Sequence, residues 1–237
     1  MRPVGFSTGA LAKGDFVRGL DLQRGVARID SVELSALRDV ELSVLVDAVP
    51  SLDLDAFTYV SFHAPSSLRT LDEETVFALL QRLPETWPIV VHPDVLQTPS
   101  LWVRLGAQLC IENMDIRKTT GRTPSELRDL FAIFPAATFC LDLGHARQID
   151  PTMASALLML REFGDRLRQL HVSDVGARGE HLPLGATARH SFARLAHHVP
   201  ADCPIIIESV IEAEAMEREL DSVRAALDAV TAEFVTV

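Results

Sequence analysis

Six short apolar runs in this chain each end on a residue able to bind a metal ion. They are YVSFH at His63, PIVVH at His92, LCIE at Glu112, TFCLD at Asp142, LRQLH at His171 and PIIIE at Glu208. The 33 acidic residues and 8 histidines among 237 positions make up roughly one residue in six, so six such endings in succession are not a chance pattern. Imidazole and carboxylate are the borderline and hard donors that zinc, manganese and iron accept. Carboxylates converging on one pocket repel one another unless cations neutralise them. His145, three residues beyond Asp142 in LDLGHA, and His181, in the glycine-punctuated GARGEHLPLG, are placed to join the same site. Eight candidate ligands follow: His63, His92, Glu112, Asp142, His145, His171, His181 and Glu208. His190, His197 and His198 fall in a polar-faced helical segment and read as surface residues.

The elements that must position these residues alternate along the chain. Strand-like runs are expected over Pro3 to Ser7, Ser31 to Ser35, Thr58 to His63, Pro88 to His92, Gln108 to Glu112, Thr138 to Asp142, Leu167 to His171 and Pro204 to Glu208. Several are nearly continuous in Val, Ile, Leu and Phe, as when both faces of a parallel strand are covered. Helical patterns fill the gaps. Thr70 and Glu73 stand at capping-box spacing ahead of Val76, Leu79, Leu80 and Leu83. Thr123, Pro124 and Glu126 give an N-cap, a first-turn proline and a capping acid. Asp150 and Pro151 are expected to open another helix, and Met216, Leu220, Val223 and Leu227 make one face of the last. The first two helices, around Asp15 to Leu20 and Leu42 to Val49, are weakly patterned.

Strands alternating with helices imply right-handed βαβ units, and eight units imply closure into a single compact (β/α)8 TIM barrel with short loops over residues 1–237. No glycine-rich phosphate loop follows any strand, which counts against an open doubly wound sheet. In a barrel the strand C-termini encircle one mouth, and active sites are built there. Ligands far apart in sequence therefore converge.

Bulk properties narrow the partners. A formal net charge of −11 repels a phosphate polymer, so nucleic acid is not the expected substrate. No apolar run approaches the roughly 20 residues of a membrane span, and Val4 to Ala10 is too short and glycine-broken for a secretory core. Cys110, Cys140 and Cys203 contain no C-x-x-C pair and read as reduced core thiols, so a cytoplasmic protein is expected. No helix face is apolar enough to identify an oligomer interface.

The texts VELSAL, SFHAPS, VVHPD, CIENMD, CLDLGHA, LHVSD, HLPLG and IIES, in this order, resemble the xylose isomerase-like, or apurinic endonuclease family 2, superfamily of metal-dependent barrels. The resemblance runs from the second strand to the eighth. Its sugar isomerase and epimerase members imply one cation held by Glu112, Asp142, His171 and Glu208, with Glu112 and Glu208 also moving protons. Some epimerases have an arginine six residues after the strand-seven histidine, where this chain has Ala177, with Arg178 one place later. The hydrolytic branch, which resembles endonuclease IV, implies His63, His92 and Glu112 for one metal and Glu112, Asp142, His171 and Glu208 for a second. His145 and His181 would hold a third. Its remaining ligand, an aspartate two residues before the loop histidine, is Gly179 here, with Glu180 an imperfect substitute.

Two or three divalent ions (zinc, manganese or iron) are therefore expected, serving hydrolysis of a phosphoester or related bond in a small soluble substrate. Arg117, Lys118 and Arg122, after the fifth strand, are candidate anion contacts, with Asp174 and Arg178 as weaker ones. The alternatives are a sugar or sugar-phosphate isomerase or epimerase using the Glu112/Glu208 pair, and a non-catalytic binding barrel.

Overall fold

The computed structural model of the chain describes residues 1–228. The expectation of one domain over 1–237 thus runs into residues 229–237, which lie outside the described residues. All eight expected runs are strands. They are β1 (Val4–Ser7), β2 (Ser31–Ser35), β3 (Tyr59–His63), β4 (Ile89–Val91), β5 (Leu109–Glu112), β6 (Thr138–Asp142), β7 (Leu167–Val172) and, last in the chain, β10 (Ile205–Ile207). They close into a barrel in the order β1-β10-β7-β6-β5-β4-β3-β2, with every neighbouring pair parallel. A two-stranded antiparallel hairpin, β8 (Asp174–Val175) with β9 (His181–Leu182), forms in the loop after β7, where the sequence indicated only a loop.

Among the described residues ten α-helices pack outside. They are α1 (Thr8–Ala12), α2 (Phe16–Arg24), α3 (Asp39–Ala48), α4 (Glu73–Leu80), α5 (Pro99–Trp102), α6 (Pro124–Ile133), α7 (Leu143–Ile149), α8 (Ala154–Phe163), α9 (Ala186–Ala193) and α10 (Met216–Leu227). Among the described residues no helix is long and apolar enough to cross a membrane.

Two helix starts differ from the expectation. The cap of α4 is Asp72, whose carboxylate accepts from Thr75 N, because Thr70 is held in the preceding loop by a bond from its own N–H to Asp39. Asp150 ends α7 instead of opening α8. Its side chain accepts from Thr152 N and Ser155 N across a turn in which Met153 has φ 63°, so α8 starts at Ala154. The Thr123–Glu126 capping box of α6 is present as read.

Strand side chains alternate between the two faces of the sheet. Val4, Phe6, Val32, Leu34, Phe62, Ile89, Val91, Ile111, Phe139, Leu141, Leu170, Ile205 and Ile207 all join the large apolar layer under the helices. The alternate positions face the barrel axis. There Val90, Cys110 and Cys140 form a separate small cluster, and Glu33, Ser61, Tyr59 and Gln169 form a hydrogen-bonded polar column. All three cysteines are free and buried. This phase sets the site. Two residues above each of Ser61, Val90, Cys110, Cys140, Gln169 and Ile206 stands His63, His92, Glu112, Asp142, His171 or Glu208, at the mouth.

Candidate metal centre

Backbone carbonyls fix two of the histidines, and side chains two more, before any ligand is considered. His63 Nδ1 donates to the carbonyl of Ala64 at 2.7 Å, which leaves Nε2 facing Glu112 Oε2 at 3.2 Å. His145 Nδ1 lies 3.0 Å from the Asn113 carbonyl. His171 is turned the other way, with Nε2 3.0 Å from the Glu33 carboxylate and Nδ1 toward the mouth. Anchoring one ring nitrogen on an acceptor sets the tautomer and leaves the other as a lone pair, the usual arrangement around a metal-bound imidazole. His181 Nδ1 contacts Ser173 Oγ at 2.9 Å.

The two loops that carry the carboxylates are tied together just past the strand ends. The Asn113 side chain donates to the Asp142 carbonyl at 2.9 Å and accepts from Asp142 N at 2.8 Å, continuing the β5–β6 ladder with a side chain. Asp142 caps α7 through Oδ1, which accepts from His145 N at 2.7 Å, so Oδ2 is left for the site. Gly144 permits this packing, since a Cβ there would lie 2.6 Å from the Ser173 carbonyl.

Glu112 is the hub. Its Oε2 lies 3.2 Å from His63 Nε2 and 3.3 Å from His92 Nε2, and its Oε1 lies 3.2 Å from His145 Nδ1 and 3.5 Å from His171 Nδ1. Glu208 Oε2 sits 3.4 Å from His171 Nδ1 and 3.5 Å from His181 Nδ1. Donors on one tetrahedral cation with bonds of ~2.0–2.1 Å stand about 3.3 Å apart, so the spacings at His63 Nε2, His92 Nε2 and His171 Nδ1 fit ion ligation. Donor atoms gather within 4.8 Å as His63–His92–Glu112, as His63–His171–Glu208, as Glu112–Asp142–His171–Glu208 and as Asp142–His145–His181. His63, Glu112, Asp142, His171 and Glu208 are each shared between groups.

The chemistry of the donors also fits. Glu112 Oε1, Asp142 Oδ2, His145 Nε2 and His171 Nδ1 are buried without a hydrogen-bond partner among the described residues. Leaving a buried polar atom unpaired costs about 1–3 kcal/mol, so this many at one place fit a ligand set. The electrostatics point the same way. Burial opposes charge on His63 and His145, yet Glu112 and the other carboxylates outweigh it and hold them at about 9 and about 10. Burial, with the Glu112 and Asp142 carboxylates, pushes Glu208 up to about 7. His181 is driven down to about 3 by burial and by its neighbour His145. Negative charge is in excess, and the protons held by the histidines partly offset it.

The site opens into a cavity of about 270 Å³ at the mouth. His63, His92, Glu112, His145, His181 and Glu208 line it, whereas Asp142 and His171 lie wholly buried behind them. Of the expected substrate contacts, Arg117 and Lys118 reach the cavity. Lys118 Nζ is held by Asp94 at 2.7 Å and the Ser66 carbonyl at 3.1 Å. The other three do not line the cavity, and each is engaged in a local ion pair. Arg122 pairs with Glu126 on α6, Asp174 with Arg147, and the exposed Arg178 with Glu180.

Three residues that the sequence reading passed over belong to this region. Glu33, with no exposed surface, bonds His171, Gln169 and Ser61. Burial opposes its ionisation, but His171 and His63 keep its carboxyl below the usual range. Its signal was available as a lone charge in the middle of the apolar run SVELS. Asp115 is buried and pairs with Arg117, and Lys13 joins the rim from the end of α1. Neither stands at a strand end, so nothing in the local pattern marked them.

No protein-family profile matches the chain, and no curated protein matches it by sequence. Solved structures do. An endonuclease IV from Thermus thermophilus superposes with TM-score 0.60 at 20% identity, covering 96% of this chain and 100% of that one. A zinc-bound IolI protein gives TM-score 0.65 at 12% identity, covering 98% and 100%. A 3-keto-D-glucoside 4-epimerase from E. coli gives 0.58 at 12% identity, covering 95% and 99%. The resemblance to xylose isomerase-like barrels therefore holds at the level of the fold.

Proposed function

We propose that this chain is a metal-dependent enzyme hydrolysing a phosphoester, or a related bond, in a small anionic substrate. One observation carries the reading. Glu112 offers one carboxylate oxygen to His63 and His92 and the other toward His171, so the donor set serves more than one cation. The neutral-nitrogen and oxygen donors suit zinc, manganese or iron.

His63, His92 and Glu112 would hold one cation and Glu112, Asp142, His171 and Glu208 another. Bound there, the ions would supply charge stabilisation and a water acidic enough to attack at neutral pH. The rest falls to the chain itself. Glu33 and the Ala64 carbonyl orient His171 and His63. Arg117 and Lys118 give the rim the positive charge that an anionic group needs, and Ala36, Leu37, Ala64, Met114 and Val210 are apolar residues of the same lining. A 270 Å³ cavity suits a small molecule. The similarity to an endonuclease IV supports the hydrolytic reading.

A second reading rests on a separate observation. Glu112, Asp142, His171 and Glu208 make a complete one-cation set by themselves, and Glu112 and Glu208 both line the cavity as a candidate acid–base pair for isomerising or epimerising a sugar. The similarity to a sugar epimerase belongs with it.

Elemental analysis of the purified protein separates the two. Two or more metal equivalents per chain, falling in His63→Ala or His92→Ala, with phosphate released from a panel of esters, support hydrolysis. A single equivalent indifferent to those changes but lost in Asp142→Ala, with solvent deuterium entering a ketose, replaces it with the isomerase.

A further inference from the structure

The donor group at His145 and His181 is built differently from the others. The backbone at Gly179, where the hydrolytic resemblance calls for a carboxylate, has φ 78°. A Cβ placed there would lie 2.2 Å from Cζ and Nε of Arg117, so the arginine fills the space that a side chain would enter. Glu180 does not compensate, because its carboxylate is turned to Arg178. Asp142 is the only carboxylate grouped with both His145 and His181 among the described residues, and it already belongs to the four-ligand group.

Arg117 is firmly placed. Its Nε donates to Asp115 Oδ2 at 2.8 Å, its Nη2 donates to the same oxygen, and its backbone N donates to Asp115 Oδ1 at 2.8 Å. Asp115 is buried, and its Oδ2 stands 3.9 Å from His145 Nε2, an atom with no hydrogen-bond partner among the described residues. Asp115 thus links the guanidinium to His145, and Arg117 lines the cavity with His145 and His181.

We propose that this centre takes two cations and that the Arg117 guanidinium, pinned by Asp115 over Gly179, stands in place of a third as the positive corner that grips the substrate's anionic group. The proposal rests on the multinuclear reading above. Its physical basis is charge and geometry. A fixed positive charge in a partly buried pocket disfavours a further dication beside it. A guanidinium meets phosphate oxygens with directed, charge-assisted N–H donors. Nη1 makes no hydrogen bond to any described residue, so Arg117 can bind an anion without releasing Asp115.

The test measures metal equivalents by elemental analysis and inorganic phosphate binding by calorimetry, both on the metal-loaded protein. Wild type should carry two equivalents. Arg117→Ala should keep both and bind phosphate about tenfold or more weakly, with Arg117→Lys between the two. The double change Arg117→Ala with Gly179→Asp should gain a third equivalent. Three equivalents in the wild type, phosphate binding indifferent to Arg117→Ala, or a double variant still at two would overturn the proposal. A single equivalent that His63→Ala leaves in place would instead remove the multinuclear reading beneath it.

Discussion

Each barrel strand presents two faces, and the two are opposite in chemistry. On the outside, Phe6, Leu34, Phe62, Phe139 and Leu170 are buried against helices and need nothing beyond contact. On the inside the column runs from Tyr59 through Gln169 and Glu33 to a mouth of histidines and carboxylates, several with unpaired buried atoms. Barrel interiors are commonly filled by bulky branched side chains. Here the outer layer holds the fold, while the inner face carries polar groups that could hold ions. Stability and function should therefore separate by the phase of a residue along its strand.

The largest effect should come from the hub of the inner face. Glu112→Gln removes the oxygen charge shared by two donor groups, so metal content and turnover should both collapse. Full turnover in this variant would sink the assignment of the site.

The outer face predicts the reverse. Phe139 is fully buried and packs edge-on against Phe131 and Phe163, with ring centroids 5.9 and 6.1 Å away. Phe139→Ala should cost about 3–5 kcal/mol in denaturant unfolding and leave metal equivalents per folded chain unchanged. A loss of metal with little loss of stability would mean that the faces are not independent.

Much of this division was legible in the sequence. A charged or imidazole side chain ending an apolar run is conspicuous, and the alternation of strands fixes which way it points, so the strand-end residues stood out together. The helix starts at Asp72 and Ala154 were not legible. Whether Thr70 or Asp72 caps α4 depends on Asp39, which takes the Thr70 N–H from another element. The inward face was also harder to read than the outward one. Ser61, Cys110, Cys140 and Gln169 carry no mark of facing an axis. Asp115 acquires its place only through Arg117 and a glycine more than sixty residues away in the chain.

Glu33 lies between these extremes and sharpens the comparison. Fully buried inside the barrel, it touches no cavity surface but holds His171 through Nε2. Glu33→Gln should weaken metal binding by about tenfold to a hundredfold, as outer-shell partners of metal-bound histidines do. Competition against a chromogenic chelator would read this directly. Unchanged affinity would show that packing alone orients His171.

The smallest effect tests the contrast between carboxylates that lack partners and one that lacks none. Asp39, at the start of α3, is buried outside the barrel, where Oδ2 accepts from the backbone N–H groups of Arg69, Thr70 and Leu71 and Oδ1 from Val40 N. The bonds from Leu71 and Thr70 are the main cause holding its carboxyl down at about 2, against an ordinary 3.8. The charged form is thus the one bound in the folded state. Its contribution to stability is complete above the ordinary value and is lost as pH falls through about 2. Asp39→Asn keeps one oxygen acceptor and loses the charge, so it should cost about 1 kcal/mol at neutral pH. Urea unfolding of the chelated protein should show a constant gap between wild type and variant down to about pH 5, then a gap that narrows toward pH 2. A gap of equal size at both ends would mean that Asp39 acts through shape and not charge. A narrowing gap would show that backbone N–H groups do for Asp39 what cations are expected to do for Glu112 and Asp142.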